Sequence, residues 1–595
     1  MNRHNVLFIM AVTVFLFLTL PGSARAQCSN GPVYVLTGQY NDLRDSVNAN
    51  ETCLTPTSST FFAADGVTPI FVQKAAFPTT IGAEGSEFAI MAQPLYVQGV
   101  TINGVKHNVV YVVAMNGVVY AYDADNYGSG SPPSGVLYWD APLAENCTET
   151  VNGVTFQGHL ASFPGTYTYL GNLSTPAIDA AIGVMYVVNT CSVTGPVNTG
   201  DQWFLNALNI ATGAPVVPAV MIQGSVVNTY GTTVFNPTNQ LQRPALLLAK
   251  NSKGVGEIYF AFGTGIVEGD PQLPYHGWLF GYTSNGKALI QQSVFTTTPV
   301  SNAFSGMCDA VLVSGYPLPP NWCGVGGGIW MSGRGLAANT VNGSTELFLA
   351  VSNGGFQTSQ PQNWGESVLK FTAGAATAPA DSFTPSAWYL DENENDEDLG
   401  TSGVLLFNGT VNGVTQKFLV VMDKAGNLFL LSQASLGGFN TPDNAVQEFL
   451  ATSATPCPQL DTHPDGYCNE PHSLVYWNNQ LYMWALKNPV QVFQFSNGVF
   501  VTPALKSGPA AGYPGGMLSL SSNGTTNGIL WALVSHSTQS QRVAGWINAM
   551  DATTLTTLWT STDSMEFAAL TEATVANGRI YVPTSNKGLL VYANH

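Results

Sequence analysis

VVYVVAMNGVVYAYDAD, residues 109–125, holds two runs of apolar and β-branched residues, Val109–Ala114 and Val118–Asp123, joined across Asn116-Gly117. Asn-Gly between two such runs is the strongest short-range hairpin signal, because both residues tolerate the positive φ of a two-residue turn. The stretch is therefore expected to fold as two strands around that turn. The chain turns polar after Asp123, and the segment from Asn126 to Pro142 is rich in Gly, Ser and Pro, the composition of a surface loop.

The same unit returns, degraded but legible, to the end of the chain. Its later copies are WFLNALNIATG (203–213) after a strand near 184–189, EIYFAFGTG with WLFGYTSNG, ELFLAVSNGGF with SVLKFTAG, KFLVVMDKAGNLFLLSQ, QLYMWALKNPVQVFQFSNG, ILWALVSH with GWINAMDATTLTTLW, and RIYVPTSNKGLLVYAN. The fifth copy keeps a two-residue turn at Ala425-Gly426. Equivalent positions are Ala121, Ala207, Gly281, Lys370, Leu430, Gln494, Ala549 and Val591. A strand pair at this spacing, with room for two more strands, has the size of a four-stranded propeller blade. One blade cannot bury both faces alone, so the repeats must stack in a ring. The reading is an all-β chain, a single closed β-propeller of eight four-stranded blades over residues 81–595. Residues 27–80 form an N-terminal segment that closes the ring, with a strand supplied to the last blade to avoid an open edge.

Two copies preserve more than a strand pair. Ala549-x-Asp551-x-x-Thr554-Leu555 leads to Trp559, and Ala207-x-Asn209-x-x-Thr212-Gly213 leads to Val217. This spacing resembles the repeat of the pyrroloquinoline-quinone-like propellers, a superfamily that contains quinoprotein alcohol dehydrogenases and an outer-membrane assembly lipoprotein. The Asp and Thr side chains satisfy backbone groups at the turn, Gly supplies free φ, and Trp docks against the next blade. The resemblance implies candidate site residues. VSNGG (351–355) stands where the dehydrogenases place a calcium-ligating Asn, making Asn353 the cofactor and metal candidate. DENENDEDLG (391–400) stands where they place a catalytic Asp, so Asp398 is the candidate base or calcium ligand, with Asp396 beside it. The sequence departs from that pattern in lacking an adjacent cysteine pair and a haem-attachment motif, and in placing Glu397 where a Trp is expected.

Composition bounds the rest. Charged residues are 9% of the chain while Gly numbers 61 and Pro 35, which disfavours long helices and favours short strands with many turns. A net charge of −18 disfavours nucleic acid and anionic membrane surfaces, which need basic patches. Arg3, the apolar run Val6–Leu20 and Ala24-Arg25-Ala26 read as a secretory signal peptide over residues 1–26, and no other run is long enough to span a membrane. The expected location is secreted or periplasmic. Eight cysteines suit that compartment: Cys28, Cys53, Cys147, Cys191, Cys308, Cys323, Cys457 and Cys468. Spacing leaves their connectivity open; pairing each with its nearest neighbour closes four local loops, and this is the expected scheme.

Other clusters carry less. Asp391–Asp398 holds six carboxylates in eight residues but departs from a calcium loop at Asp396 and Ser402. DTHPDGYCNEPH places His463, Asp465, Glu470 and His472 near one another at no known ligand spacing. GVGGGIWMSGRG (324–335) is no phosphate loop, and its glycines are expected to let strands approach the propeller axis. Ser305, Ser332 and the histidines form no GxSxG elbow. The function read from the sequence is a secreted, monomeric binding scaffold for a protein or polysaccharide at the insert-rich rim, without cofactor. The alternative is a dehydrogenase using pyrroloquinoline quinone and calcium to oxidise an alcohol.

Overall fold

Val105–Val113 and Val118–Asp123 pair antiparallel, with Val109 opposite Asp123 and Val113 opposite Val119. Every residue from Val109 to Asp123 is buried. Neighbouring elements cover both faces of these strands, so their sequence is continuously apolar rather than alternating. At the outer strand Leu137–Pro142 alternation returns: Trp139 and Ala141 are buried, Leu137 and Asp140 exposed. The structure is a computed structural model. It describes residues 28–64, 66–79, 89–131, 133–143, 148–151, 154–157, 161–162, 169–194, 199–228, 231–251, 253–263, 275–299, 326–357, 362–387, 397–452, 469–535, 544–562, 565–566 and 570–594.

The hairpin at Asn116-Gly117 forms with a different turn from the one expected. Gly117 N donates to Ala114 O (3.0 Å), and of the pair only Gly117 has positive φ (75°). The loop is longer than two residues, and the Asn116 side chain donates inward to Thr79 O and the Tyr120 hydroxyl. The turn at Ala425-Gly426 is corrected likewise, since Met422 pairs with Leu428 across it. True two-residue turns occur at the opposite ends of the blades. Asn103-Gly104, Asn342-Gly343, Asn412-Gly413 and Asn577-Gly578 have positive φ at both residues.

Among the described residues, eight sheets of four to six strands follow one another along the chain, each with its earliest blade strand innermost. These innermost strands are Leu95–Ile102, Ala177–Asp179, Leu247–Lys250, Ala337–Val341, Leu405–Val411, Leu474–Trp477, Met517–Asn523 and Thr574–Ala576. The eighth blade takes its outermost strand, Val72–Phe77, from near the N-terminus, paired with Leu589–Ala593. The expectation of a closed propeller with uniform four-stranded blades is corrected: every sheet is an open path, and the strand number varies. The extra strands come from connecting chain. Tyr34–Val35 joins the first blade, Val47–Asn48 the seventh and Gly438–Phe439 the fourth. Three further two-stranded sheets lie outside the blades.

Hydrophobic clusters bridge each blade to the next, and one runs from the eighth through the first to the second. Tyrosines pin these seams. Tyr111 donates to Ile210 O (2.9 Å), Tyr482 to Ala552 O (2.9 Å) and Tyr581 to Ala124 O (3.3 Å), each reaching a turn of the following blade. Burial pushes the pKa of these phenols up, which keeps them neutral donors. The expected Trp docking is found at Trp139, whose ring covers Gly213 in the second blade.

The N-terminal segment circles the axis. Tyr34–Val35 pairs with Tyr96 and Val97 of the first blade. Leu36 O then accepts from Ile178 N of the second blade, and Thr37 Oγ1 donates to Leu246 O at the third. Asp42 O accepts from Ala338 N, Leu43 O from Leu406 N, Asp45 O from Tyr476 N and Ser46 O from Leu520 N, reaching blades four to seven in order. Asn48 Nδ2 donates to Val575 O of the eighth. Following this circuit puts Gln39, Tyr40, Arg44 and Ser46 at φ of 56–71°, a strained region for non-glycine residues that the surrounding hydrogen bonds must hold.

The Cys28–Cys53 disulfide, one of the expected four, closes this circuit across 25 residues. Cys191 is also disulfide-bonded. The remaining cysteines lie outside the described residues, and the expected Cys147–Cys191, Cys308–Cys323 and Cys457–Cys468 pairs fall there. Replacing both Cys28 and Cys53 by Ser frees a loop of this size and is expected to lower unfolding stability by about 3 kcal/mol in a denaturant titration. Gly213→Ala would place its Cβ 2.5 Å from the Trp139 ring at a φ of +71°. The same titration should show a loss of about 1–3 kcal/mol, and no loss would mean that Trp139 does not clamp the seam.

Candidate functional site between the fourth and fifth blades

Three loops meet where the fourth and fifth blades adjoin. Asn353 follows strand Ser344–Val351, Asp398 lies on the approach to Leu405–Val411, and Lys424 occupies the turn before Asn427–Ser432. Short apolar strands end here because their backbone must turn, and the polar residues fall in those turns. Asn353 N donates to Asp398 Oδ1 (3.1 Å), and Lys424 Nζ pairs with Asp398 Oδ2. The two side chains of the ion pair are 22% and 17% exposed, so the pair is only partly screened by water.

The surrounding hydrogen bonds fix these loops. Lys424 N donates to Glu397 O (3.0 Å), and Thr401 Oγ1 to Asp398 O (2.9 Å). Glu366 is fully buried at φ 47°; its Oε2 accepts from Leu399 N (2.7 Å) and its own N donates to Ser352 O (3.2 Å). That single residue ties the Asn353 loop to the Asp398 loop. Glycine backbones pack beneath: Gly326 bridges both His276 and Gly354. A Cβ on Gly354 would lie 2.2 Å from Gly327 N, so only glycine fits. Glycine therefore does permit close backbone approach in this segment, as expected. Further along it admits guanidinium groups too: a Cβ at Gly335 would strike Arg44, and one at Gly333 would strike Arg243.

The structure thus brings Asn353 and Asp398 together, while Asp396 lies outside the described residues. Lys424 and Glu366 were not singled out from the sequence. A signal for Lys424 existed: it interrupts the apolar hairpin VVMDKAGNLFL in a chain with only 18 Lys and Arg. Glu366 has no comparable signal. Of the DTHPDGYCNEPH cluster, Glu470 and His472 are described and pair with each other (2.8 Å). Among the described residues, the one group of three side chains close enough for a metal is Cys28, Glu51 and Cys53, whose sulfurs are spent in the disulfide. No described helix is long and apolar enough to cross a membrane.

The chain is an eight-bladed β-propeller. Its fold is similar to that of quinohemoprotein alcohol dehydrogenase ADHIIG from Pseudomonas putida HK5, at 12% identity and a TM-score of 0.51, over 94% of this chain and 80% of that one. Quinohemoprotein alcohol dehydrogenase from Comamonas testosteroni aligns over the same shares, at 12% identity and a TM-score of 0.52. A europium-containing methanol dehydrogenase aligns at 11% identity and a TM-score of 0.44, over 92% of this chain and 81% of that one. No protein-family model and no curated protein sequence matches the chain.

His276 gives this region a pH dependence. Thr298 Oγ1 donates its one proton to Gly326 O (3.0 Å), so the 2.8 Å contact with His276 Nδ1 requires that nitrogen to carry hydrogen. Burial pushes the His276 pKa down to about 4. The unfolded chain, with an ordinary histidine, binds the proton first, so the contribution is present above about pH 6.5 and lost as pH falls toward 4. Between pH 7 and 4 the wild type should lose about 2–3 kcal/mol more stability than His276→Gln. Parallel stability profiles for the two proteins would contradict this.

Proposed function

We propose that this chain is an exported dehydrogenase of the quinoprotein type that oxidises an alcohol beside Asp398. The observation that carries the reading is the meeting of Asp398, Asn353 and Lys424 at one place. The fold shared with quinohemoprotein alcohol dehydrogenases supports it, and weighs toward this alternative over the cofactor-free scaffold expected from sequence. The donor set fits the groups that the resemblance implies. Asp398, Asn353 and Glu366 offer the hard oxygen atoms that calcium takes, and Lys424 offers a positive charge to an anionic quinone. When bound, the quinone supplies the two-electron acceptor. Asp398 would accept the substrate's hydroxyl proton, its carboxylate held in orientation by the Asn353 amide and Lys424, with the hydroxyl taking the place of one of these donors. Glu366 would keep the two loops in register.

The test is reconstitution with pyrroloquinoline quinone and calcium, followed by an absorbance spectrum and a dye-linked assay with a primary alcohol. Asp398→Asn should bind the quinone and lose at least about 100-fold in turnover. Failure of the folded wild type to bind quinone would refute the reading. One observation favours scaffold binding as a second reading. A cavity of about 710 Å³ opens between the second and third blades, lined by Gln202, Gln223, Asn236, Thr238, Gln291 and Phe235. Amide groups around an aromatic ring suit a sugar face.

A further inference from the structure

Loops entering the fourth and sixth blades also meet, through residues other than Asp398. Ser332 sits in the single turn Met331–Gly333, immediately before the fourth blade. Met331 and Ser332 hold φ of 46° and 48°, a left-handed conformation that non-glycine residues adopt only under constraint. Ser332 Oγ lies 2.7 Å from His472 Nδ1, and His472 Nε2 lies 2.8 Å from Glu470 Oε2. The three residues are 3%, 7% and 2% exposed.

The chemistry of the donors orders this chain of contacts. A carboxylate only accepts, so His472 Nε2 carries the hydrogen that it gives to Glu470. In the neutral ring Nδ1 is then an acceptor, and Ser332 must donate to it. Hydroxyl, imidazole and carboxylate thus stand in the relation that activates a serine: a base to take its proton, and an acid group to orient that base. The ring nitrogens are used in the opposite sense to the usual arrangement, which changes neither role. The neighbourhood is rigid. Arg334 donates to Ser473 Oγ (3.3 Å) and Arg44 O (2.7 Å) and pairs with buried Glu572, while Ser473 Oγ donates to the same carboxylate (2.8 Å). Arg334 Nε is buried without a hydrogen-bond partner among the described residues, leaving one N–H donor two residues from the serine.

We propose that Ser332, His472 and Glu470 form a nucleophilic serine centre that hydrolyses a small carboxylic ester. Ser332 Oγ adds to the ester carbonyl as its proton passes to His472 Nδ1. Collapse of the adduct breaks the ester C–O bond, and the departing alcohol leaves with that proton. Water then adds to the acyl-Ser332, giving its proton to His472; release of the carboxylic acid returns the proton to Ser332 Oγ. The near-complete burial of the serine restricts the substrate to a small acyl group.

The folded wild type is exposed to a small fluorophosphonate, mapped by peptide mass spectrometry, and assayed on p-nitrophenyl acetate. The expected result is one adduct on Ser332 and ester turnover, both absent from Ser332→Ala and from urea-unfolded wild type. His472→Gln, with unchanged circular dichroism and melting, should label at least about 100-fold more slowly. A hydrogen-bonded lock between two loops would give no nucleophile. Folded wild type that takes no adduct on Ser332, or a folded His472→Gln that labels at the wild-type rate, overturns the proposal. The wild-type labelling decides the matter even if the variants do not fold.

Discussion

Hydrogen bonding along the segment from Tyr34 to Asn48, mostly from its backbone, is the constraint from which the rest of the structure follows. Each innermost strand of a propeller faces the axis with an unpaired edge, and buried N–H and C=O groups there need partners. One strand can satisfy only one neighbour. A segment running around the axis can satisfy all of them, and here it reaches the eight blades in sequence order. The disulfide and the outer strand Val72–Phe77 hold the two ends of this circuit to the seventh and eighth blades' side of the molecule.

Filling the axis with polypeptide puts charge where water is scarce. Arg44, Arg243 and Arg334 are all fully buried, and their guanidinium groups donate chiefly to main-chain carbonyls. Arg334 also pairs with a charged group, Glu572. Burial pushes the glutamate's pKa up and the arginine's down, and their attraction, with Ser46 and Ser473, offsets that cost. Such a pair contributes little to net stability but leaves an uncompensated charge if either partner is lost. It therefore specifies geometry more than it stabilises, and it fixes the loops that carry Ser473 and its neighbour His472.

Much of the architecture was legible because blade strands are local. The apolar runs, their repeat and the Asp-x-x-Thr turn can all be read within a dozen residues. Asp551 Oδ1 does accept from Thr553 N and Thr554 N, and Leu555 stands at the glycine position with φ of 59°. At the Asn116 turn the side chain donates inward to Thr79 O, a partner that no local pattern records. Uniform blades failed for a similar reason: Tyr34–Val35, Val47–Asn48 and Gly438–Phe439 join sheets to which their own sequence does not assign them.

Sequence by itself determined the strand repeat and the number of blades, because hydrophobic pattern and short-range pairing need no distant partner; the Cys28–Cys53 bond was one pairing among those it left open. It also picked out Asn353 and Asp398, through a resemblance rather than through their surroundings. Tertiary structure alone decided which side chains face one another across blades. Lys424 reaches Asp398 because a turn between two strands of the fifth blade folds back on the loop that leads into that blade. Ser332 meets His472 across 140 residues because both precede innermost strands, and every such approach converges on the axis. A ring turns distance along the chain into proximity at its centre, and no local pattern records which residues will meet there.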